Sequence, residues 1–208
     1  MNPSPSRMRR WLANAALFGV STLVGFAFLE GTLRVLDMGF GEQPLLSDAY
    51  LHHRHPPDYR YRRRDGRGEF GGFIIAYDSQ GRVIDPDARQ VADPVRHHRR
   101  VAVLGDSMVE ASQVAYRDSF VGLLNARAAP DVFADNWGVS SYSPVIYRLQ
   151  WQREIAAGKP PLAIVMLYSN DVADDAIYAA GAPLDAAGLP GAVAGPPDST
   201  LVRALRGL

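Results

Sequence analysis

The chain has 208 residues, a length typical of a single domain, and 47% of them are hydrophobic while 21% are charged. This composition excludes a wholly disordered chain, because enough apolar side chains are present to build a core. Basic and acidic residues number 22 each, so no net charge attracts the chain to nucleic acid. Because cysteine is absent, disulfides, thiolate zinc sites and a cysteine nucleophile are excluded.

An apolar segment near the N-terminus predicts a helix that crosses a membrane. No charged residue occurs from Trp11 to Leu29, and as a helix this run would extend about 28 Å, close to the thickness of the bilayer's hydrocarbon core. Arginines at positions 7, 9 and 10 precede the run, so we expect the N-terminus in the cytoplasm and the rest of the chain outside it. A cleaved signal peptide is the alternative, although its apolar run should be shorter and should end in a small-x-small site.

The chain is predicted to divide into five segments. They are a cytoplasmic N-terminus (1–10), a transmembrane signal anchor (11–36), an extracytoplasmic connector with a strand and turn near 73–83 (37–98), an α/β core (99–178), and a loop rich in alanine, glycine and proline with a short terminal helix (179–208). The basic, aromatic part of the connector, 52–67, is expected to be solvated, with contact to anionic lipid or an acidic polymer as the alternative. The loop has no clear periodicity and is expected to be flexible.

Strand and helix patterns alternate regularly in the core segment. The apolar run at 101–104 predicts a strand that is buried on both faces, 131–135 predicts a second short strand, and 162–168 predicts a third, apolar strand. Between them, Asp118 is predicted to cap a helix over 119–128 with Phe120, Leu123 and Leu124 on its buried face, and Ser143-Pro144 begins a second helix that stops at Gly158. The order β-α-β-α-β with short connections predicts an α/β fold with a parallel, doubly wound sheet.

Three loops follow these strands, and in a parallel sheet they meet at one edge. They are Gly105-Asp106-Ser107, Asn136-Trp137-Gly138 and Ser169-Asn170-Asp171. A hydroxyl that attacks and several neutral donors that bind the resulting oxyanion are what acyl transfer from an ester requires. Ser107 supplies the hydroxyl, and the N–H groups of Ser107 and Gly138 with the amide of Asn170 supply three donors. Ordinary turn chemistry is the alternative explanation for each loop taken alone.

With these motifs the chain resembles the SGNH (GDSL-type) hydrolases, over roughly residues 71–175. The turn Asp78-Ser79-Gln80-Gly81 before the first core strand is similar to one in the membrane-anchored bacterial branch of that family. The resemblance implies a flavodoxin-like three-layer α/β/α sandwich with ester hydrolase or O-acyltransferase activity. It implies Ser107 as the nucleophile and Ser107, Gly138 and Asn170 as the oxyanion hole, with Gly105, Asp106 and Asp171 in support.

One part of the family's pattern is absent, namely an Asp-x-x-His late in the chain. All five histidines precede Ser107, and a serine needs a base in order to attack. His97 and His98 are expected at the opposite edge of the sheet, whereas His52, His53 and His55 lie in the connector and stay open as weaker candidates. We therefore expect that the 208 residues are the N-terminal part of a longer chain whose continuation carries the histidine and further strands.

The resulting prediction is a serine-dependent esterase or acyltransferase on the outer, periplasmic side of the bacterial inner membrane, held by a single-pass anchor. An acylated polysaccharide or a lipid is the expected substrate, with no cofactor, no metal and no nucleic acid partner. The 208 residues alone are expected to be inactive. A binding or assembly module that uses the same pocket for a glycan or lipid without catalysis is the alternative. A phosphate-binding loop at Gly105 is disfavoured, because no lysine or arginine lies between Gly105 and Tyr116.

Overall fold

The structure is a computed structural model that describes residues 5–35, 44–64, 71–87 and 99–197. Its first element, α1 (Pro5–Val35), is a single helix whose large apolar side chains are exposed. The segment Arg7–Leu33 has a mean hydropathy of 1.9, and no part of it is buried against the rest of the chain. The prediction of an N-terminal helix long and apolar enough to cross a membrane is therefore confirmed.

The described residues form two sheets. The smaller sheet pairs β1 (Leu46–Asp48) with β2 (His52–Arg54) in antiparallel orientation. The larger sheet has six strands, which are β3 (Arg60–Arg64), β4 (Gly71–Tyr77), β5 (Val83–Ile84), β6 (Arg99–Leu104), β7 (Val132–Asn136) and β8 (Leu162–Val165). Their order across the sheet is β3-β4-β5-β7-β6-β8. The predicted core strands are thus present as β6, β7 and β8, and the α/β class is confirmed.

The larger sheet is mixed, which corrects the prediction of a parallel sheet. β6 pairs in parallel with both β7 and β8, whereas β3, β4 and β5 run antiparallel to their neighbours. The added strands come from the segment predicted to be a connector, in which the sequence indicated only the strand and turn near 73–83 and did not assign them to the sheet. They form a meander whose last strand joins β7 through the pair Val83 and Asn136. The three parallel strands occur in the spatial order second, first, third along the chain, with β6 in the middle.

The position of β6 in the middle of the parallel strands explains why its residues are apolar. All four residues from Val101 to Leu104 are buried, as expected for a strand covered on both faces. One face packs against Val109 and Val121, and the other against a cluster that contains Tyr142 and Ile146. In contrast, β8 is an edge strand whose Leu162 and Val165 are about half exposed.

Four helices lie around the parallel strands in the described residues, and the second and third of them correspond to the two helices predicted from the sequence. They are α2 (Ser107–Glu110), α3 (Phe120–Arg127), α4 (Pro144–Gln150) and α5 (Asp171–Ala179). After Gln150 the helical path of α4 continues through a π-helical turn and a 3₁₀ turn as far as Gly158, where the sequence predicted its end. Lys159, in the left-handed conformation, then terminates it.

Two details of these helices differ from the prediction. In α3 the cap is Ser119, whose hydroxyl accepts from the N–H of Gly122, and the buried face contains Val121, while Phe120 and Leu123 are partly exposed. The helix begins one residue later than predicted, and Val121 rather than Phe120 faces the sheet. The N-terminus of α4 is capped from α5, since Asp175 accepts the Val145 N–H at 2.7 Å.

The segments on either side of the core also fold onto it. Leu51, between β1 and β2, is completely buried and packs in the same cluster as Val193. The N–H of Val193 donates to Tyr50 O at 2.9 Å, and the carbonyl of Val193 accepts from the His52 N–H at 2.6 Å. Residues 182–195, in the loop expected to be flexible, are thus held by backbone hydrogen bonds. The predicted short terminal helix lies outside the described residues.

The predicted turn after β4 forms as the sequence indicates. Asp78 is buried, and its Oδ1 accepts the N–H groups of Gln80 and Arg82, both at 2.9 Å. Gly81 has a φ of +79°, a left-handed conformation that glycine adopts without strain. The Arg82 guanidinium then forms ion pairs with Asp78 and with Asp135 on β7, so the turn is attached to the parallel part of the sheet.

Candidate functional site

The loops after β6, β7 and β8 begin side by side at the carboxyl edge of the parallel strands. Backbone hydrogen bonds link them at their origins. The Val139 N–H donates to Gly105 O at 3.1 Å, and the Met166 N–H donates to Leu104 O at 2.9 Å. The three loops that carry the predicted site residues therefore share one edge, as the pattern of strands required.

Ser107 occupies the first position of α2, directly after β6. The buried side chain of Asp106 caps this helix by accepting the Met108 N–H at 2.9 Å. The helix itself offers no acceptor to the N–H of its first residue, so the Ser107 N–H is suited to bind an oxygen from outside. Ser107 is partly exposed, and its hydroxyl forms no hydrogen bond within the described ranges.

Gly105 is required here by packing. A Cβ at this position would lie 2.3 Å from Val109 Cγ2, and Val109 is fully buried against β6. The sequence predicted a tight turn at this glycine, but its φ is not in the left-handed region. Its role is to let the first turn of α2 approach the end of β6 closely.

Gly138 also lies against α2. A Cβ on Gly138 would come within 2.3 Å of the Glu110 backbone nitrogen and 2.7 Å of the Val109 carbonyl carbon. The close approach that this glycine allows is therefore to α2. Its N–H, one of the three predicted oxyanion donors, donates to Asn136 Oδ1 at 2.9 Å, while Asn136 Nδ2 donates to Val109 O at 2.8 Å.

Asn170 precedes α5 and is exposed. Its amide nitrogen donates to Asp174 Oδ2 at 2.8 Å, and no hydrogen bond connects it to residues 105–110 in the part of the chain that the structure describes. Two of the three predicted donors therefore have partners within their own loops. Because an amide NH₂ has two hydrogens, Asn170 can bind a second acceptor while it keeps Asp174.

Asp171 connects this loop to α4. Its side chain is buried, and its Oδ2 accepts from the Tyr168 N–H at 3.2 Å and from the Tyr147 hydroxyl at 3.3 Å. Burial raises the pKa of Asp171, and the negative charge of nearby Asp106 raises it further, against the lowering effect of the Tyr168 N–H. Asp171 thus holds the start of α5 against α4 through the Tyr147 hydroxyl.

The histidines of the predicted connector are part of the folded structure. His53 and His55 are buried, and burial lowers the pKa of His53. His53 Nε2 is 2.7 Å from Ser140 O, and His55 Nε2 is 3.2 Å from Glu110 Oε1. Within the described residues none of these histidines is hydrogen-bonded to Ser107. His97 and His98 lie outside those residues.

Glu110 and Ser140 belong to this edge of the sheet and were not predicted. Glu110 is completely buried, and its Oε2 accepts both the N–H and the hydroxyl of Ser140 at 2.7 Å. Its spacing three residues after Ser107 places it one helical turn away, which is visible in the sequence. Its partners Ser140 and His55, however, lie 30 and 55 positions distant along the chain, and no local pattern indicates them.

Two further observations limit the chemistry of the described residues. Among 5–35, 44–64, 71–87 and 99–197, no cluster of three or more histidine, aspartate or glutamate side chains has a geometry that could hold a metal ion. A cavity of about 450 Å³ lies elsewhere, between the β3–β4 strands and the turn before α3, and is lined by residues that include Arg62, Phe73 and Tyr116. None of the predicted site residues lines it.

No model of a known protein family matches this sequence, and no curated protein matches it significantly. The family resemblance is therefore carried by the motifs and their placement alone.

Proposed function

We propose that the chain forms the nucleophile-bearing part of a serine-dependent ester hydrolase or O-acyltransferase of the SGNH type. The observation that carries this proposal is the position of three motifs at the carboxyl ends of three adjacent parallel strands. The strand order second, first, third is how a doubly wound sheet of the flavodoxin-like kind begins, and such sheets bind ligands at this edge. We also propose that the α/β core is a flavodoxin-like three-layer sandwich.

In the proposed reaction the Ser107 hydroxyl oxygen attacks the carbonyl carbon of an ester while its proton passes to a general base. The carbonyl oxygen becomes an oxyanion, which accepts from the Ser107 N–H and the second N–H of Asn170. Gly138 contributes its N–H by sharing it between Asn136 and the oxyanion. The alcohol then leaves with a proton, and water or a second alcohol removes the acyl group from Ser107.

The proposed reaction needs a general base for the Ser107 hydroxyl, and the described residues do not place one there. An ordinary carboxylate is too weak a base for a hydroxyl, and the resemblance implies a histidine from an Asp-x-x-His sequence. This group would belong to a part of the protein outside the described residues. The domain would act on the periplasmic side of the inner membrane, tethered by α1, where acylated polysaccharides or lipids are available as substrates.

A fluorophosphonate probe, which reacts covalently with an activated serine, tests the proposal. The protein as encoded, in detergent or nanodiscs, should be labelled at Ser107, and Ser107→Ala should abolish labelling. Ser141→Ala, at an exposed serine three residues after Gly138, is the matched control and should leave labelling unchanged. Labelling that persists in Ser107→Ala would contradict the proposed nucleophile.

The 208-residue chain provides a second arm of the same test. It is expected to show little or no labelling, since its described residues hold no base against Ser107. Robust labelling of this shorter chain would mean that a base is present within it.

The binding or assembly module is the second candidate, favoured by the internal hydrogen bonds of Gly138 and Asn170 and by the lack of a histidine at Ser107 in the described residues. It predicts that the protein as encoded binds an acylated glycan or lipid without labelling at Ser107. The same probe experiment, repeated with a binding measurement on such a ligand, separates the two functions.

A further inference from the structure

We propose that Glu110 and His55 are positioning residues, a buried pair that holds the Ser107 turn and the Gly138 loop in fixed relation to each other. This inference rests on the proposed function for its chemical meaning. It gives His55, which directly follows β2, a positioning role in the site that the sequence did not indicate.

Glu110 lies between two loops of the site. Its backbone nitrogen lies against Gly138, and its carboxylate accepts hydrogen bonds from both the N–H and the hydroxyl of Ser140. The same residue ends the helix that Ser107 begins. A displacement of Glu110 therefore changes the position of the nucleophile relative to the loop that carries a proposed oxyanion donor.

Glu110 is itself held by buried partners. Its side chain and that of His55 are both completely buried, with His55 Nε2 at 3.2 Å from Glu110 Oε1. The Tyr77 hydroxyl lies 3.4 Å from the same carboxylate oxygen. A carboxylate removed from water is very costly unless it is paired and hydrogen-bonded, and these partners provide that compensation.

One ring nitrogen of His55 has a defined hydrogen bond. Its Nδ1 lies 2.9 Å from Gly81 O, a carbonyl oxygen that can only accept, so Nδ1 carries a hydrogen. Its Nε2 lies 3.2 Å from Glu110 Oε1, within ion-pair distance, but forms no hydrogen bond among the described residues. The two buried side chains are therefore in direct contact as a pair.

The ring of His55 is also fixed in orientation. It stacks on the ring of Tyr77 at 4.0 Å between centroids and 9° between planes, with Gly81 O at one ring nitrogen. Because Gly81 belongs to the turn attached to β7 through Arg82, the pair is anchored to the sheet independently of α2. A carboxylate held by such a fixed partner can position a flexible loop, whereas one held only by water would not.

The test uses carboxylate-to-amide exchanges at two positions of the protein as encoded. Glu110→Gln perturbs the proposed positioning pair, and Asp185→Asn, at the ion pair with Arg148 on α4, is the matched control outside the site. We expect Glu110→Gln to lower the rate of Ser107 labelling by at least about tenfold, because small misplacements of reacting groups carry such penalties. Asp185→Asn should lower it by less than about threefold, since it leaves the reacting groups in place.

Hydrogen–deuterium exchange provides a readout that does not depend on catalysis. Glu110→Gln should increase exchange selectively in peptides that cover 105–112 and 138–142, and Asp185→Asn should not. Ser140→Ala, which removes only one hydrogen bond, is the milder variant in case Glu110→Gln does not fold, and it should change both readouts in the same direction.

The outcomes separate the two proposals. If Glu110→Gln lowers labelling no more than Asp185→Asn does, or leaves exchange in 138–142 unchanged, the positioning role is wrong. If Ser107 is not labelled in any variant, the unaltered protein included, the proposed serine chemistry is wrong. In that case the exchange experiment still decides whether Glu110 holds the two loops together.

Discussion

Replacement of Gly138 by alanine is the sharpest test of how α2 and the loop after β7 fit together. The added methyl carbon would lie 2.3 Å from Glu110 N, 2.7 Å from the Val109 carbonyl carbon and 2.8 Å from Val109 Cβ. Two of these three atoms belong to the backbone, so no rotation of a side chain relieves the contact. The turn of α2 or the loop must move by about 1 Å, since carbon contacts below roughly 3.4 Å are strongly repulsive.

The expected magnitude follows from this geometry. Excess atoms in a packed core typically cost about 1–3 kcal/mol, and more where backbone must shift, so we expect a loss of about 3 kcal/mol for Gly138→Ala. In a domain of this size each kcal/mol lowers the unfolding midpoint by about 2–4 °C, which predicts a decrease of about 6–12 °C. Gly158→Ala is the matched control, because a Cβ added there would have no atom within 4 Å and the φ of Gly158 is not positive.

Urea unfolding followed by tryptophan fluorescence measures both variants. Trp137 is buried beside Gly138 and reports on the region directly, while Trp11 in α1 is replaced by phenylalanine in every protein compared. Gly158→Ala should lie within about 0.5 kcal/mol of the parent or be slightly more stable. If Gly138→Ala were as stable as Gly158→Ala, the packing of α2 against this loop would not be as described.

Two further predictions concern the carboxylates of α5. Asp175→Ala removes the acceptor of the Val145 N–H and of the Ser143 hydroxyl, so we expect a loss of about 1–2 kcal/mol in urea unfolding, against less than about 0.5 kcal/mol for Asp174→Ala, whose hydrogen bond is exposed. Burial raises the pKa of Asp171 in the folded chain, so the native state binds more protons than the unfolded state as pH rises above about 4. Its contribution to stability therefore declines with rising pH, and Asp171→Asn should gain stability relative to the parent between about pH 3.5 and 7; a relative loss over that interval would contradict the direction of the shift.

The parts of the fold that could be predicted are those with local signals. The continuous apolar run at Val101–Leu104 indicated a strand buried on both faces, and Ser143-Pro144 marked the start of α4. Both signals depend on neighbours a few residues away. The meander β3-β4-β5 was not assigned to the sheet, because its attachment depends on a single pairing between Val83 and Asn136, which are 53 positions apart.

In the candidate site, too, the local features could be predicted from the sequence and the long-range contacts could not. The three loops were predicted from the ends of local apolar runs, and their common edge followed from the parallel order of the strands. The pairing of Glu110 with His55 could not be predicted, because a buried carboxylate has the same sequence signature as an exposed one on a short helix. Only the contact between segments 55 residues apart distinguishes them.

The packing around α2 separates the motif residues that have a structural role from those that have none. Gly105 and Gly138 are both explained by the close approach of α2, and Asp106 by the cap it provides. These three residues would be needed by this arrangement whether or not it performs chemistry, so they are weak support for catalysis. Ser107 and Asn170 differ, since both are at least partly exposed and, among the described residues, no buried contact requires a hydroxyl or an amide there. The proposed acyl transfer therefore depends on those two side chains, and replacing them tests the proposed function with the least disturbance of the fold.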